Sequence, residues 1–285
     1  MGLDVRHLTY VYNPGTPFET KAVDDVSFEV HDGEFIGIIG HTGSGKSTLI
    51  QHFNALIEPT SGSVLVDGED IFASKSRAAL RRRVGLVFQY PEYQLFEETV
   101  QKDVCFGPKN MGKAEGECAS AAREALRLVG LNEDTWEKSP FELSGGQQRR
   151  AALAGVLAMQ PEVLILDEPA AGLDPSGRKE ILDIIKRIHL KGTTVIMVSH
   201  SMDDVARLCG RIIVMEKGRK AMDGTPAEVF SRVEELEKMG LKPPSAALLA
   251  KRLKARGTDI DDSVYTLAGL IDELKNKLGG IKQGA

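Results

Sequence analysis

The sequence predicts an α/β fold built on a parallel core sheet. Three observations predict it. Residues 163–166 (VLIL) and 193–199 (TTVIMVS) are apolar runs without alternation, the pattern of strands buried on both faces. Stretches with Ala, Leu, Ile and Val at helical spacing separate the apolar runs, among them 117–129 and 177–190. A further run, FIGII at 35–39, leads directly into GHTGSGKST at 40–48, and Leu49, Ile50 and Phe53 follow at helical spacing. That order reads strand, glycine-rich turn, helix.

Composition bounds the rest. The chain has 285 residues, with 41 acidic and 36 basic side chains and a net charge of -5. The length suits one or two domains with a sizeable core, and the acidic balance argues against a surface built to hold nucleic acid. Cys105, Cys118 and Cys209 are odd in number and show no C-x-x-C spacing. A disulfide framework or zinc site is disfavoured, and a reducing compartment is expected. The start, MGLDVRHLTYVYN, carries no apolar signal core, and no run approaches the ~18 apolar residues that would span a membrane. Any membrane role is expected to be peripheral.

Taken in order, residues 3–12 place β-formers at Leu3, Val5, Leu8, Tyr10 and Tyr12, and 22–30 alternate like a strand before the Asp32-Gly33 turn. A short antiparallel sheet is expected ahead of the glycine-rich loop. Tyr12 on that sheet could stack on a base or serve as an ordinary sheet or core tyrosine. In the loop, Gly40, Gly43 and Gly45 lack a Cβ, so the backbone can come close to a ligand. The amides of Gly40, His41, Thr42, Gly43, Ser44 and Gly45, with the helix start at Lys46, Ser47 and Thr48, then face an anion. Lys46 supplies a point charge for β- and γ-phosphates, and the Ser47 hydroxyl suits Mg²⁺.

Residues 63–68 read as another strand and turn, and 76–83 as a basic helix with a solvated face. The short strand VGLVF at 84–88 ends at Gln89, a side chain that could reach a metal or an attacking water. From about 90 to 157 the chain reads as a helical insert between two strands of one sheet. LSGGQ at 143–147 opens a helix over 148–159, with Ser144 as N-cap and two glycines leaving the first amides open. After a phosphate loop, this reads as a second anion site at a helix N-terminus. The run at 163–166 ends in Asp167 and Glu168, where open α/β sheets bind ligands. Asp167 suits Mg²⁺ through water, and Glu168 suits orienting or deprotonating a water. His200 closes the 193–199 strand at the same edge, which favours a γ-phosphate contact. Residues 211–215 and 219–222 form a closing hairpin. Thr225-Pro226-Ala227-Glu228 is a capping box whose helix is expected to end near Gly240. Helices over 245–256 and 266–278 follow, the second with Leu267, Leu270, Ile271, Leu274 and Leu278 on one face, and 279–285 reads as a frayed tail.

GHTGSGKST, Gln89, LSGGQ, VLILDE and His200, in that order, resemble the ATP-binding cassette (ABC) ATPases over residues 3–224. LSGGQ discriminates, since other phosphate-loop proteins lack it. The resemblance implies a phosphate-loop nucleotide-binding domain at 1–224, with a parallel core sheet, an antiparallel β subdomain and a helical subdomain, plus a C-terminal helical domain at 225–285. It implies ATP and Mg²⁺, with Tyr12 stacking on adenine, Lys46 on phosphate, and Ser47, Gln89 and Asp167 at the metal. It makes Glu168 the catalytic carboxylate, His200 the γ-phosphate switch and Asp174 the acid that communicates across a dimer. Ser144, Gly145, Gly146 and Gln147 would complete the site of a second ATPase in trans. The chain departs from the family pattern at Ala170-Ala171, where a hydroxyl residue is common.

A narrower likeness lies in QYPEYQLFEETV at 89–100 and DVCFGP at 103–108. It is similar to the second ATPase paralogue of energy-coupling factor (ECF) importers, which take up vitamins or transition-metal ions. That likeness implies a cytoplasmic, peripheral position at the cell membrane. The implied partners are a second ABC ATPase (a paralogue or second copy), a transmembrane scaffold and a small substrate-binding membrane subunit, with no nucleic acid. The segment after Gln89 would line a groove for a coupling helix, and 225–285 would hold the two ATPases together. Tyr90, Tyr93, Leu95 and Phe96 suit a helix-in-groove contact, though Phe96, with Leu95, is expected in the helical-subdomain core. The ATPase of another ABC importer and a non-transport ABC protein are the competing readings.

Overall fold

A computed structural model describes residues 2–73, 77–261 and 263–281. Ten strands are present among them: β1 (Leu3–Tyr12), β2 (Thr20–Val30), β3 (Phe35–Ile39), β4 (Ser61–Val66), β5 (Glu69–Asp70), β6 (Val84–Val87), β7 (Val163–Asp167), β8 (Thr194–Val198), β9 (Arg211–Glu216) and β10 (Arg219–Gly224). The helices are α1 (Lys46–Phe53), α2 (Arg77–Arg83), α3 (Val100–Asn110), α4 (Glu115–Leu128), α5 (Gly145–Leu157), α6 (Pro175–Leu190), α7 (Met202–Leu208), α8 (Pro226–Phe230), α9 (Val233–Lys238), α10 (Ser245–Ala255) and α11 (Leu267–Ile281).

Two sheets form. The larger runs β10-β9-β3-β8-β7-β6, with β9, β3, β8, β7 and β6 mutually parallel and β10 an antiparallel edge. The smaller is antiparallel, in the order β2-β1-β4-β5. The antiparallel sheet expected ahead of the loop is therefore completed by strands that come after it. The chain leaves that sheet at β2, builds β3 and α1, and returns as β4 beside β1.

Side-chain alternation explains why the central strands are apolar throughout. Ile36 and Ile38 of β3 face one core together with Leu49, Phe53 and the inner residues of β1 and β4, while Phe35 and Ile39 face the other. On β7, Val163 and Ile165 join the first core and Leu164 and Leu166 the second. Successive residues point to opposite faces of a strand. Both faces are covered here, so apolar residues fill both sets of positions, and polar ones appear only at the strand ends, Thr194 and Asp167.

The helical insert connects β6 to its parallel neighbour β7, as expected. It opens with a 3₁₀ turn, Pro91–Gln94, followed by α3, α4 and α5. Its core of Leu95, Val100, Val104, Ala122, Leu126 and Trp136 is continuous with the helix-covered face of the large sheet.

Several expectations need correction. α5 starts at Gly145, not 148, because Ser144 forms a full capping box with Gln147. Gln147 N–H donates to Ser144 Oγ (3.4 Å), and Ser144 N–H donates to Gln147 Oε1 (2.9 Å), which satisfies two orphan amides and outweighs the low helix propensity of the glycines. Phe96 is not core: it is 57% exposed, while Leu95 is buried. The Asp103 carboxylate accepts from the amides of Phe96 (2.8 Å) and Glu97 (2.9 Å), and the turn so held sends Leu95 inward and Phe96 out. The helix after Thr225 is two helices, α8 and α9, broken where Arg232 adopts ψ 50°. α11 runs on through Gly279 and Gly280 to Ile281. Ser76 and residues 282–285 lie outside the described residues, as does the side chain of Leu278.

The C-terminal segment packs in two ways. Val229, Phe230, Leu236 and Leu241 join the helix-side core of the large sheet. α10 and α11 share a small cluster of their own around Ala246, Ala250, Ile260 and Leu270. α10 is tied to α7 by Asp203, which accepts from Ser245 N (2.9 Å) and Oγ (3.0 Å). Leu267 and Ile271, from the apolar face of α11, remain exposed.

Candidate active site

Three adjacent parallel strands, β3, β8 and β7, deliver the site at their carboxyl ends. β3 continues into the 40–45 loop, β7 ends at Asp167-Glu168, and β8 is followed by Ser199 and His200. Open α/β sheets place ligands at this edge.

Loop shape follows from two glycines. Gly45 is the N-cap of α1 at φ 97°, and a Cβ there would sit 2.1 Å from Ala22 O. Gly43, at φ 81°, faces open space. Both lie in the left-handed region that L side chains adopt only with strain. The loop is anchored from behind: Gly218 N–H donates to Ser44 O (3.1 Å), and Asp24 N–H donates to Gly218 O (2.8 Å). The first amides of α1 have no intrahelical acceptor, so the loop and helix start present donors together.

Lys46 folds over this concavity. Its Nζ donates to Gly40 O (2.8 Å) and His41 O (3.0 Å), and burial pulls its pKa down, opposed by the charges of Glu168 and Asp167. An incoming phosphate would thus exchange weak carbonyl acceptors for anionic ones and favour the charged ammonium. Asp167 is buried, which raises its carboxyl pKa, and the neighbouring Ser47 hydroxyl and Lys46 charge oppose that rise.

Among the described residues no group of three or more His, Cys, Asp or Glu side chains could hold a metal ion. Ser47 and Asp167 supply hard oxygens only. Such a pair fits Mg²⁺ that arrives with nucleotide phosphates and keeps water in its shell, rather than a dedicated protein cage.

Glu168 occupies an unusual backbone position, φ 52°, a conformation that non-glycine residues hold at a cost when the surroundings impose it. Its N–H donates to Val198 O (3.0 Å), which pins it to β8. Its Oε1 lies 2.8 Å from His200 Nδ1. Burial raises the Glu168 pKa, and the His200 hydrogen bond opposes that rise. Both residues line a cavity of about 130 Å³ that extends under the 169–173 loop, room for a few waters.

Tyr12 reaches the loop helix from the antiparallel sheet. Its hydroxyl is 3.2 Å from Thr48 Oγ1. The ring stands edge-on to Tyr10 (4.8 Å), which stands edge-on to the buried His52 of α1 (5.1 Å). His41 Nδ1 donates to Thr42 O at 2.6 Å.

The structure thus brings Tyr12, the 40–48 loop, Asp167, Glu168 and His200 together. Gln89 is exposed just past β6. Asp174 caps α6, accepting from Gly177 N (3.0 Å). Ser144, Gly145, Gly146 and Gln147 stand apart: among the described residues no hydrogen bond joins them to the 40–48 loop. A Cβ on either glycine would meet nothing within 4 Å, so this helix start is free for another surface.

Two residues escaped the sequence reading. Arg149 is buried on α5 and forms a bidentate ion pair with Glu92 of the 3₁₀ turn (2.8 and 3.0 Å). The QQRR spacing resembles a solvated helix face, and no local signal links Arg149 to a carboxylate 57 residues away.

Fold and site together define an ATP-binding cassette ATPase. The ABC transporter family profile matches residues 23–171. The ECF transporter ATP-binding protein EcfA2 of Clostridium tetani is 53% identical over 277 residues, covering 96% of each chain. Among solved structures, cbiO1 of Clostridium perfringens, part of the ABC transporter complex cbiONQ, superposes with TM-score 0.73 at 41% identity, covering 84% of this chain and 94% of that one. The ATP-binding cassette MJ0796, a dimer in a post-hydrolysis state with ADP and Pi, superposes with TM-score 0.70 at 28% identity, covering 79% and 98%. The chain belongs to the energy-coupling factor transporter ATP-binding proteins of the ABC transporter family, and it is an ATP hydrolase.

Proposed function

We propose that this ATPase energises uptake of a micronutrient, a vitamin or transition-metal ion, from the cytoplasmic face of the cell membrane. In this reading it pairs with a second ABC ATPase, a paralogue or a second copy, beneath a transmembrane scaffold and a small substrate-binding membrane subunit. The observation that carries it is a groove of about 600 Å³ between the 3₁₀ turn, α3 and α5. Phe96 and Phe106 meet edge-on on its wall (5.0 Å), both exposed, with Met111 and Met159 nearby and Arg81 and Arg82 at one side. An apolar groove flanked by charge suits an amphipathic helix from a membrane subunit. Among the described residues no helix is long and apolar enough to cross a membrane, so the chain would work through such a partner.

The proposed chemistry uses the site as follows. Tyr12 stacks on adenine. The 40–48 loop amides and Lys46 hold the β- and γ-phosphates. Ser47 and Gln89, with Asp167 through water, would hold Mg²⁺, which would neutralise charge on the phosphate oxygens. Glu168 accepts the proton of the attacking water, and His200 contacts the γ-phosphate. Ser144, Gly145, Gly146 and Gln147 complete the partner ATPase's site, and Asp174 faces that partner. Two ATP molecules thus favour a closed dimer, and hydrolysis with phosphate release reopens it, a population shift driven by the closed state's affinity for ATP. Residues 225–285 act as a helical domain holding the pair, consistent with the exposed Leu267 and Ile271 of α11.

Mild-detergent purification of the tagged protein from its own cells, with partners identified by mass spectrometry, tests this reading. The expected result is a second ABC ATPase, a helical scaffold and small membrane proteins. A two-domain permease alone, or ribosomal or DNA-associated partners, would contradict it.

A further inference from the structure

Arg149 joins three segments that lie far apart in the chain. It sits on α5, five residues after Ser144, and is only 3% exposed. Nε and Nη2 donate to Glu92 Oε2 (3.0 Å) and Oε1 (2.8 Å). Nη1 donates to Pro169 O (3.4 Å) and to Ala171 O. The guanidinium also lies over the Tyr90 ring, 5.7 Å from its centroid. Tyr90 in turn borders Gly172, where a Cβ would lie 3.7 Å from the ring. One planar cation thus clamps the turn behind Gln89, the helix that starts with LSGGQ, and the loop between Glu168 and Asp174.

Chemistry makes arginine the residue for this place. A fork of fixed geometry grips a carboxylate on one edge and still has donors for carbonyls on the other, which a lysine cannot do. A buried ion pair is weak evidence for stability, since apolar residues of like volume often serve as well. What the pair adds is a rigid connection. Pro169 and Ala171 follow directly on Glu168, whose backbone is held at φ 52°, and Glu92 follows Tyr90 on the segment leading into the Phe96 groove.

We infer that Arg149 is a positioning residue that makes the 90–92 segment and the 169–172 loop move as one body, coupling the groove to the placement of Glu168. The partner end of this coupling rests on the reading of the groove given above. The mechanical link itself is a property of the chain alone.

Amide hydrogen exchange of the full chain tests the link without nucleotide or partner. Glu92→Gln is isosteric and alters the clamp only on the groove side. The amides of Ala171 and Leu173, bonded to Glu168 O and Ala170 O, report on the other side. Both should exchange roughly tenfold faster or more in Glu92→Gln, as expected from weakening a charge-assisted hydrogen bond. Arg149→Lys should do the same, and the double variant should be no faster than the faster single one. With a non-hydrolysable Mg·ATP analogue, wild-type exchange should slow in both 90–96 and 170–173, and in Arg149→Lys only in 170–173. If Glu92→Gln speeds exchange in 90–96 while Ala171 and Leu173 keep wild-type rates, the coupling is overturned. A purely structural Arg149 would give that pattern, or would leave the joint nucleotide response intact in Arg149→Lys. Failure of the groove reading shows separately, in the partners recovered, and leaves these rates unchanged.

Discussion

Glu168 Oε1 and His200 Nδ1 lie 2.8 Å apart. The two groups assigned to water activation and γ-phosphate contact therefore occupy one another. In the proposed mechanism, a γ-phosphate contact by His200 would draw it away from Glu168, linking nucleotide arrival to the carboxylate through this one short contact.

Glu168 costs the resting protein stability at neutral pH. Its pKa is raised by burial, so its contribution is present below the unfolded value near 4.5 and is lost as pH rises through the folded pKa. Glu168→Gln should melt higher than wild type at pH 8, with the gap closing toward pH 4.5. Thermal melts across that range check it. The same variant should lose about 10²–10⁴-fold in turnover, the usual contribution of a general base.

His200→Ala should move the acid limb of kcat/KM to higher pH in the residual activity. The imidazole opposes the burial-driven rise of the Glu168 pKa. Without it burial, aided by the Asp167 charge and opposed only by Lys46, raises the carboxyl pKa further, and more of the base is protonated at a given pH. A pH–rate profile of the variant against wild type measures the shift, and an unmoved limb would assign that limb to another group.

His52 gives the fold its own acid sensitivity. Its ring is fully buried against Tyr10, Nδ1–H donates to Thr48 O (2.7 Å), and burial lowers its pKa. Stability from the neutral ring is therefore full above the unfolded value near 6.5 and is lost as pH falls toward the folded pKa. His52→Gln should flatten the stability–pH slope between about pH 6.5 and 5 relative to wild type. Urea titrations at several pH values give the difference.

Gly45→Ala should break the loop. The new Cβ would meet Ala22 O at 2.1 Å and force an L side chain to hold φ 97°. The left-handed backbone alone costs about 1–2 kcal/mol, and the clash adds to it by pushing the loop off β2. Lower urea midpoints together with loss of ATP binding are expected. Gly43→Ala, which meets open space, should keep the fold more nearly intact while weakening phosphate contact.

The parts most legible in the sequence are those with a local cause. Ile36 and Ile38 pack on one core and Phe35 and Ile39 on the other, so an unbroken apolar run sufficed to mark a central strand. The strand–loop–helix order around Lys46 carried its own chemistry. What stayed hidden depends on distant partners. Phe96 is turned outward by Asp103, seven residues on. β4 returns to pair with β1 across the whole phosphate-loop unit. Arg149 finds Glu92 only through the fold. Among the described residues no hydrogen bond joins the LSGGQ helix start to the 40–48 loop, and the proposed function gives that helix start to a second subunit.

That last point is the most direct test. Light scattering of Glu168→Gln, alone and mixed with any second ABC ATPase recovered in the purification, should be run with and without Mg·ATP. The proposed closed dimer requires that ATP convert monomer mass to a stable dimer retaining two unhydrolysed ATP molecules, and that Ser144→Arg prevent this while each chain still binds nucleotide. A Glu168→Gln protein that binds Mg·ATP yet keeps monomer mass in both settings, or that hydrolyses ATP at the wild-type rate, would contradict it.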